Sequence, residues 1–349
     1  MSKKVCLVGY YGYGNFGDDL MLSILADIFL SLRCSVTVVS KKHNDFLPPD
    51  VIQVTSDTNS LSSLYNDVFS KSDIVFWGGG TCFYTSNNNL RGMLGVLKRI
   101  FFAKKNKCKF NFLGVGVEPS SSLFGKLIYK AIFSLTDDII CRDVSSRNVL
   151  KSYSMKAAVH SDLTYLIEPR ERNQSEASNY ISFSPAGYKN AYDNIDSIAN
   201  LLIELNRVYG KKIVLVSLHD GIDEKFNSVL FDKLHMKVPL EISESRTVDD
   251  HIEILGNSYF NIGMRLHSII LSDVLNVPVF GVSYQKKVGD YLDRVDCVKY
   301  KRYVDINTHY SIDDIEASLN EQFNSDSIKH YVKLERKSLL NCTARLLDN

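Results

Sequence analysis

The sequence predicts an α/β protein of two lobes, each built on a parallel sheet. Short apolar runs alternate with amphipathic helical patterns along most of the chain, which is typical of β-α-β units. Most of these runs are nearly continuous, as expected for strands that helices cover on both faces. The length of 349 residues also exceeds what a single hydrophobic core usually supports. These observations together favour two α/β domains with a crevice between them.

The first lobe is predicted to span residues 1–168. Apolar positions 21, 24, 25, 28 and 32 fall on one stripe and predict a helix over Leu20–Leu32. The apolar runs predict strands at Val5–Val8, Val36–Val39, Ile74–Trp77, Phe110–Val117, Ile139–Cys141 and Ala157–Val159.

A polar segment at 168–176 is the best linker candidate, and the same alternation starts again beyond it. The second lobe is predicted to cover 177–325, with helices around 195–208 and 267–275. Residues 326–349 predict a C-terminal helix that packs back across the lobes. The strands predicted for the second lobe are Tyr180–Phe183, Ile213–Val216, Tyr259–Ile262 and Pro278–Val282.

Composition excludes several classes of protein. Lys and Arg number 41 against 40 Asp and Glu, so the chain has no overall basic field that would point to nucleic acid. The seven cysteines are scattered and never spaced C-x-x-C, which argues against a zinc ribbon or disulfide framework and favours a reducing cytoplasm. No spacing proposes a metal site, and no run of eighteen apolar residues predicts a membrane span.

A glycine-rich loop follows the first predicted strand. Gly12, Gly14 and Gly17 satisfy G-x-G-x-x-G at a helix start, the pattern of a dinucleotide-binding loop. Asp18 and Asp19 stand where the pyrophosphate would lie, however, and two carboxylates would repel it. We therefore do not interpret the loop as an NAD(P) site. Asp18 fits either a helix N-cap or a general base, and the two roles are compatible.

Basic residues gather at predicted strand ends, mainly in the second half of the chain. Arg265, His267 and Ser268 open a predicted helix, whose N-terminus favours anions. The pair Lys286-Lys287 follows the next strand, and Arg142 follows a strand of the first lobe. In open α/β sheets the carboxyl ends of the strands border the ligand site. Such a set suits a small, highly charged anion together with a neutral hydroxylic partner.

In combination these motifs resemble those of the polysaccharide pyruvyl transferase family. The resemblance implies two facing Rossmann-like lobes of the glycosyltransferase-B type. It also implies transfer of the pyruvyl group of phosphoenolpyruvate to a saccharide as a cyclic ketal, with no further cofactor. The resemblance runs from about residue 9 to 290 and rests on G-Y-Y-G-x-G-N-F-G-D (9–18), G-G-G-T (78–81), G-V-G-V (114–117), R-D-x-x-S (142–146), D-L-T (162–164), R-L-H-S (265–268) and Y-x-x-K-V (284–288).

The resemblance also assigns roles to residues. Asp18 would act as the general base, and His267 would donate a proton or stabilise the departing phosphate. Family members often carry proline where this chain has Lys286, which leaves open which lysine contacts the anion. Phosphoenolpyruvate would be bound by Arg142, Arg265, Ser268 and Lys287. Acceptor-binding or supporting roles fall to Asn15, Gly79, Gly80, Thr81 and His219.

The expected acceptor is a lipid-linked or nucleotide-linked saccharide at the cytoplasmic face of a membrane. The segment 98–109 has six basic residues and two aromatic ones, a pattern of interfacial helices, although a basic surface turn would look the same. Two other functions remain open for this scaffold. One is a glycosyltransferase that uses a nucleotide sugar, and the other is a non-catalytic saccharide-binding protein.

Overall fold

The computed structural model of the protein describes residues 2–56, 61–83, 90–168, 179–295, 297–308 and 311–348. The chain divides into two compact units, the first formed by Met1–Leu166 with Glu335–Asn349 and the second by Ile167–Leu334. Residues 169–176 of the expected linker lie outside the described residues. Each unit is an α/β domain on a parallel sheet, so the predicted fold class is confirmed.

The sheet of the first unit has the strand order β3-β2-β1-β4-β6-β7-β8, and β5 pairs with β6. Its strands are β1 Lys4–Val8, β2 Ser35–Ser40, β3 Ile52–Thr55, β4 Ile74–Gly78, β5 Thr81–Phe83, β6 Lys109–Val117, β7 Asp138–Cys141 and β8 Ala158–Val159. Its helices are α1 Phe16–Ser31, α2 Leu61–Ser70, α3 Leu90–Lys105, α4 Leu123–Leu135 and α5 Val144–Ser152, with a 3-10 turn at Leu163–Leu166.

Helices cover both faces of this sheet. Successive residues of a strand point to opposite faces, and β4 shows the consequence. Val75 and Trp77 belong to one apolar core, together with residues of α2, α3, α4 and α5. Phe76 lies between them in sequence and stacks on Phe29 of α1, with ring centroids 4.9 Å apart. Burial on both faces explains why the central strands are nearly continuous apolar runs.

The sheet of the second unit has the strand order β11-β10-β9-β12-β13-β14. Its strands are β9 Tyr180–Ser184, β10 Lys212–Leu215, β11 Leu240–Ile242, β12 Asn261–Gly263, β13 Val279–Ser283 and β14 Tyr303–Asp305. Its helices are α6 Lys189–Asp193, α7 Ile195–Tyr209, α8 Asp223–Leu234, α9 Val248–Gly256, α10 Leu266–Val274, α11 Lys286–Arg294 and α12 Ile312–Phe323.

The last helix, α13 (Ser327–Asp348), begins in the second unit and continues into the first from Glu335 onwards. Its second half is fixed by contacts with residues that precede the second unit. The Glu335 carboxylate accepts a hydrogen bond from the Ser161 hydroxyl, and the Arg336 Nε donates to the Leu166 carbonyl. Leu339 is fully buried. Both ends of the chain therefore contribute to the first unit.

Local signals set the ends of several helices. Asn15 caps α1, because its Oδ1 accepts a hydrogen bond from the Gly17 N–H at 3.1 Å. The helix thus begins four residues before the predicted start at Leu20, and Asp18 and Asp19 lie in its first turn. Gly210, with φ of +61°, ends α7 in the left-handed conformation that glycine adopts without strain. Of the helices that the structure describes, none is long and apolar enough to cross a bilayer.

Each sheet changes direction at one point in its strand order. In the first unit the change falls between β1 and β4, and in the second it falls between β9 and β12. Loops on either side of such a switch point leave the sheet in opposite directions and open a crevice at the carboxyl ends of the strands. The segments at these two places are therefore the first to examine for function.

Candidate active site

In the first unit, Asp18 lies at the switch point between β1 and β4. The two acidic residues of the α1 first turn have different environments. The Asp19 Oδ1 accepts a hydrogen bond from the Gly12 N–H at 2.8 Å, which ties down the glycine loop. Asn15 already caps the helix, and Asp18, which is 8% exposed, has its carboxylate against the turn after β4. The N-cap role that the sequence left open for Asp18 is thus filled by Asn15.

The glycines of that turn make room for α1. A Cβ at Gly80 would lie 2.6 Å from the Asp18 Oδ1, and one at Gly79 would lie 2.3 Å from the Met21 Sδ. Both glycines have positive φ, +78° and +70° respectively, which other residues adopt only with strain. The Tyr11 hydroxyl donates to the Gly78 carbonyl at 2.8 Å. The triple glycine therefore allows the carboxylate of Asp18 to sit directly on the backbone of this turn.

The pKa of Tyr11 is affected by the two acidic residues of the α1 first turn. Burial raises the pKa of its phenol well above the usual value, and the negative charges of Asp18 and Asp19 raise it further. The phenol is therefore a permanent neutral donor at physiological pH. It fixes the Gly78 carbonyl through its hydrogen bond.

Thr81 and Arg142 extend the site along the same sheet edge. The Arg142 Nη2 donates a hydrogen bond to the Thr81 Oγ1 at 2.7 Å, and the guanidinium lies over Gly116, where a Cβ would be 2.9 Å from it. Arg142 is buried beside two carboxylates, with Nε 3.4 Å from Asp143 and Nη1 3.7 Å from Asp162. The first unit thus brings Asp18, Gly80, Thr81 and Arg142 into one row. The anion-binding role of Arg142 stays a prediction.

In the second unit, Arg265 follows β12 at the switch point and forms a bidentate pair with Asp223. Its Nε and Nη2 donate to the two carboxylate oxygens at 3.0 and 2.5 Å. Asp223 is fully buried and also accepts from the backbone N–H groups of Gly187 and Leu218. The carboxylate therefore joins the segments after β9, β10 and β12 and fixes the orientation of the guanidinium.

Two tyrosines complete the surroundings of Arg265. Its Nη1 donates to the Tyr188 hydroxyl at 3.3 Å, and its Cζ lies 4.9 Å from the centre of that ring. The Tyr188 and Tyr284 rings stack at 5.9 Å. Burial raises the pKa of Tyr284 to about 12, so it stays a neutral donor. Since a guanidinium has five N–H donors, and three serve these contacts with the described residues, two remain for a ligand.

His219 lies next to this arginine. Burial lowers the pKa of its imidazole, and the positive charge of Arg265 lowers it further, so the ring is neutral near pH 7. Its Nδ1 is buried and makes no hydrogen bond with the residues that the structure describes. The ring therefore borders the same group of residues as Arg265. The acceptor-binding role given to it from the sequence stays a prediction.

The remaining predicted residues occupy two helix starts after adjacent strands. His267 is half-buried in the first turn of α10, whose N-cap is Arg265. Ser268 is fully buried, and its hydroxyl donates to the Arg265 carbonyl at 2.7 Å. In α11, Lys286 points to solvent and pairs with Asp290 at 2.7 Å, whereas Lys287 is half-buried. Which of the two lysines contacts an anion at the sheet edge stays a prediction.

Sequence reasoning missed Asp223, Tyr188 and the role of Tyr284. Asp223 and Arg265 are 42 positions apart, and nothing near Asp223 in sequence distinguishes a buried carboxylate from an ordinary acidic helix start. A usable signal was its place shortly after a predicted strand, beside His219. No group of three His, Cys, Asp or Glu side chains able to hold a metal ion occurs in the described part of the chain.

Two α/β units, each built on a parallel sheet, place the protein in the glycosyltransferase-B fold class. A family model described as "Polysaccharide pyruvyl transferase" matches residues 15–286, more than three quarters of the chain. The chain therefore belongs to the polysaccharide pyruvyl transferase family. The match includes Asp18, Arg142, Arg265 and His267, and Lys287 lies one residue beyond it. No curated protein matches the sequence significantly.

Solved structures of similar fold carry names from nucleotide-sugar chemistry. UDP-GlcNAc 2-epimerase from Neisseria meningitidis, bound to UDP-GlcNAc, has a TM-score of 0.63 and 12% identity, covering 99% of this chain and 100% of its own. The same enzyme from Methanocaldococcus jannaschii has a TM-score of 0.62 and 14% identity, covering 94% of each chain. A glycosyltransferase from Rickettsia africae has a TM-score of 0.62 and 13% identity, covering 97% and 93%. At such identities the similarity concerns the fold alone.

Proposed function

We propose that the protein transfers the pyruvyl group of phosphoenolpyruvate to a saccharide as a cyclic ketal, in the biosynthesis of a surface polysaccharide or glycan. The observation that carries the proposal is the family match over residues 15–286. The residues support it, because each unit holds charged groups of the required kind at the carboxyl edge of its sheet. The acceptor we propose is a lipid-linked or nucleotide-linked saccharide.

Phosphoenolpyruvate carries a phosphate and a carboxylate, and both need cationic partners. Arg265 is held by Asp223 with donors to spare, and Lys287 lies in the first turn after the adjacent strand β13. The first turns of α10 and α11 add backbone N–H groups, because neither Arg265 nor Gln285 caps its helix through a side-chain hydrogen bond. Arg142 would supply a further cation from the first unit, with Ser268 supporting the phosphate side.

The reaction removes one proton from each of two sugar hydroxyls and supplies one proton to carbon. A sugar hydroxyl attacks the central carbon of phosphoenolpyruvate, and Asp18 takes its proton. The methylene carbon gains a proton and becomes the methyl group of the ketal, with His267 as donor or as stabiliser of the departing phosphate. A second hydroxyl of the same sugar then displaces phosphate and closes the ring, and its proton leaves with the phosphate. One phosphoenolpyruvate and one diol thus give one ketal and one phosphate, with no net water.

The experiment that tests the proposal is turnover with a panel of candidate glycans. The expected products are inorganic phosphate and a glycan heavier by pyruvic acid minus one water, detected by mass spectrometry. Thermal unfolding gives a quick first result, since a ligand that binds only the native state raises the unfolding temperature. Phosphoenolpyruvate should raise it, whereas UDP should do so only if the acceptor is nucleotide-linked. Stabilisation by UDP, with neither stabilisation by phosphoenolpyruvate nor phosphate release, would instead indicate a nucleotide-sugar-dependent glycosyltransferase.

A non-catalytic saccharide-binding protein is the second alternative to the proposed function. Such a protein would bind a glycan from the same panel, yet would release no phosphate from phosphoenolpyruvate. The presence of Asp18, Arg265 and His267 together argues against it, since a non-catalytic descendant need not keep them. Glycan binding with unchanged phosphoenolpyruvate would decide for this alternative.

A further inference from the structure

The outer surface of α3 and α4 in the first unit is unusually apolar. Both helices pack on the same face of the sheet, α3 through Val96 and Ile100 and α4 through Ile128 and Ile132. The two helices are also neighbours. Their opposite sides must therefore form one continuous outer surface, which we call the α3–α4 face.

Large apolar side chains on this face are exposed to solvent. Leu123 is 80% exposed, Leu127 65%, Phe101 62%, Phe124 57% and Leu94 47%. They recur at helical spacing, at 94 and 101 in α3 and at 123, 124 and 127 in α4. Five such residues on two adjacent helices form a patch, and contiguous apolar patches of this kind mark interaction sites.

The charges of the α3–α4 face have one sign. The two helices contain no Asp or Glu, and their seven basic residues are Arg91, Lys98, Arg99, Lys104, Lys105, Lys126 and Lys130. Two of the seven serve the fold: Arg99 donates to the Tyr65 hydroxyl at 2.8 Å, and Lys104 pairs with Asp137. Lys98, Lys105, Lys126 and Lys130 are exposed beside the apolar residues.

We propose that the α3–α4 face docks the protein on an anionic lipid surface. Apolar side chains inserted at the level of the head groups, surrounded by lysines, are the features by which peripheral helices bind such surfaces. The segment 98–109 forms only part of this face, because Phe102 packs inwards and α4 supplies three of the five apolar residues. Docking would hold the enzyme next to a lipid-linked acceptor.

A second copy of the chain fits the face less well. In a two-fold dimer the same patch meets itself, so the lysines of one copy would approach those of the other. With no acidic residue on either helix, that contact would place like charges together. An anionic bilayer offers the opposite charge along with an apolar interior. Charge complementarity therefore selects the lipid surface.

Sedimentation with vesicles tests the proposal on the full-length protein. Vesicles of phosphatidylcholine alone are compared with vesicles that also contain about 30% phosphatidylglycerol, an anionic lipid. We expect binding to the anionic vesicles that weakens at high salt. The double variant Lys98→Glu with Lys130→Glu should weaken binding by roughly tenfold or more, given about 1 kcal/mol for each basic residue near the surface. Leu127→Ser with Phe124→Ser should weaken it even at low salt.

The control variant makes one change of each kind, apolar to serine and lysine to glutamate, in the second unit. Met236 is exposed and Lys237 follows it, so Met236→Ser with Lys237→Glu alters charge and apolar surface away from the face. This control should bind as the unchanged protein does. All variants replace exposed side chains, and unchanged thermal unfolding shows that they fold.

Three results would overturn the proposal. The first is no binding to anionic vesicles, and the second is binding that the α3–α4 variants leave unchanged. The third is a dimer in light scattering that Leu127→Ser with Phe124→Ser converts to monomer while vesicles bind nothing, which would assign the face to a second copy. Phosphate release with a soluble acceptor is measured in parallel. The variants should keep it, so failure of docking and failure of the proposed reaction are distinguishable.

Discussion

At the scale of single residues, Asp18 is the group whose replacement tests the chemistry most directly. Its neighbour Asp19 holds the glycine loop through Gly12, and Asn15 caps the helix, so loop and cap both persist without the Asp18 charge. We expect Asp18→Asn to lower the rate of phosphate release by about 10²-fold or more, the usual contribution of a general base. Stabilisation by phosphoenolpyruvate, read by thermal unfolding, should persist.

Asp19→Asn serves as the comparison for Asp18→Asn. It removes a charge from the same helix turn but weakens the bond to Gly12, so its main effect should be a lower unfolding temperature. If Asp18→Asn released phosphate at the normal rate, the base would have to be another group.

A second residue-scale test concerns Asp223, which acts through Arg265. Asp223→Asn keeps the size of the side chain but removes the charge opposite the guanidinium. We expect KM for phosphoenolpyruvate to rise about tenfold or more with a smaller change in kcat, because the arginine is less well positioned to bind the substrate. Loss of one partner of a buried ion pair should also cost about 3 kcal/mol of stability.

The control for this change is Asp220→Asn, at an exposed carboxylate three residues away. Both aspartates raise the pKa of His219, so both variants alter the charge near that ring. Only Asp223 bonds to Arg265, and only its variant should raise KM. Equal kinetic effects of the two variants would show that general charge, and not the position of the arginine, is what matters.

At the scale of elements, the turn after β4 determines where α1 can place its carboxylate. Gly80→Ala introduces a Cβ 2.6 Å from the Asp18 Oδ1 and a side chain at φ of +78°. Gly210→Ala, at φ of +61° with nothing within 4 Å, introduces the strain alone. Gly210→Ala should lose about 1 kcal/mol of stability in denaturant unfolding, and Gly80→Ala should lose more, because it adds the contact with Asp18.

The two glycine variants should differ in the rate of phosphate release. Displacement of a catalytic group by about 1 Å can cost on the order of 10²-fold in rate. Gly80→Ala should therefore lose at least tenfold in phosphate release, and Gly210→Ala should keep the normal rate. Equal turnover in both would mean that the carboxylate adjusts freely or is not used.

The same scale shows what the sequence could and could not predict. The central strands are buried on both faces, and their continuous apolar runs made β1, β2, β4, β6, β9 and β10 visible. The strands β3, β11 and β14 lie at sheet edges and are only partly buried, so their residues carry no such run, and all three were missed. Hydrophobic patterning detects burial and is therefore weaker at an edge, although the edge strand β8 was predicted.

The candidate site divides in a similar way. Asp18, Arg142, Arg265 and His267 could be found because each follows a recognisable strand and sits in a short motif. The contacts that hold them could not: Thr81 was a candidate, but its bond to Arg142 spans 61 positions, and Asp223, which meets Arg265 across 42, was missed. Such contacts depend on strand order, which local patterns do not encode.

At the scale of the whole molecule, each unit contains a histidine whose pKa is lowered in the folded state. His160 lies in the first unit and His219 in the second, and burial is the main cause in both. Each has an ordinary pKa of 6.5, and therefore binds more protons in the unfolded chain than in the folded one just below that pH. Stability then rises with pH in this range, so acidification from pH 7.5 to 5 should destabilise both units.

Histidine variants show which groups cause this loss of stability at low pH. His160→Gln and His219→Gln each remove one of the two titrations, so each should lessen the fall in the free energy of unfolding between pH 7.5 and 5. The double variant should lessen it most. Asp250 also has a lowered pKa, because the backbone N–H groups of Arg246 and Thr247 bond to it, but its ordinary value is 3.8. It therefore contributes only at lower pH. A fall that persists in the double histidine variant would place the sensitive groups elsewhere in the molecule.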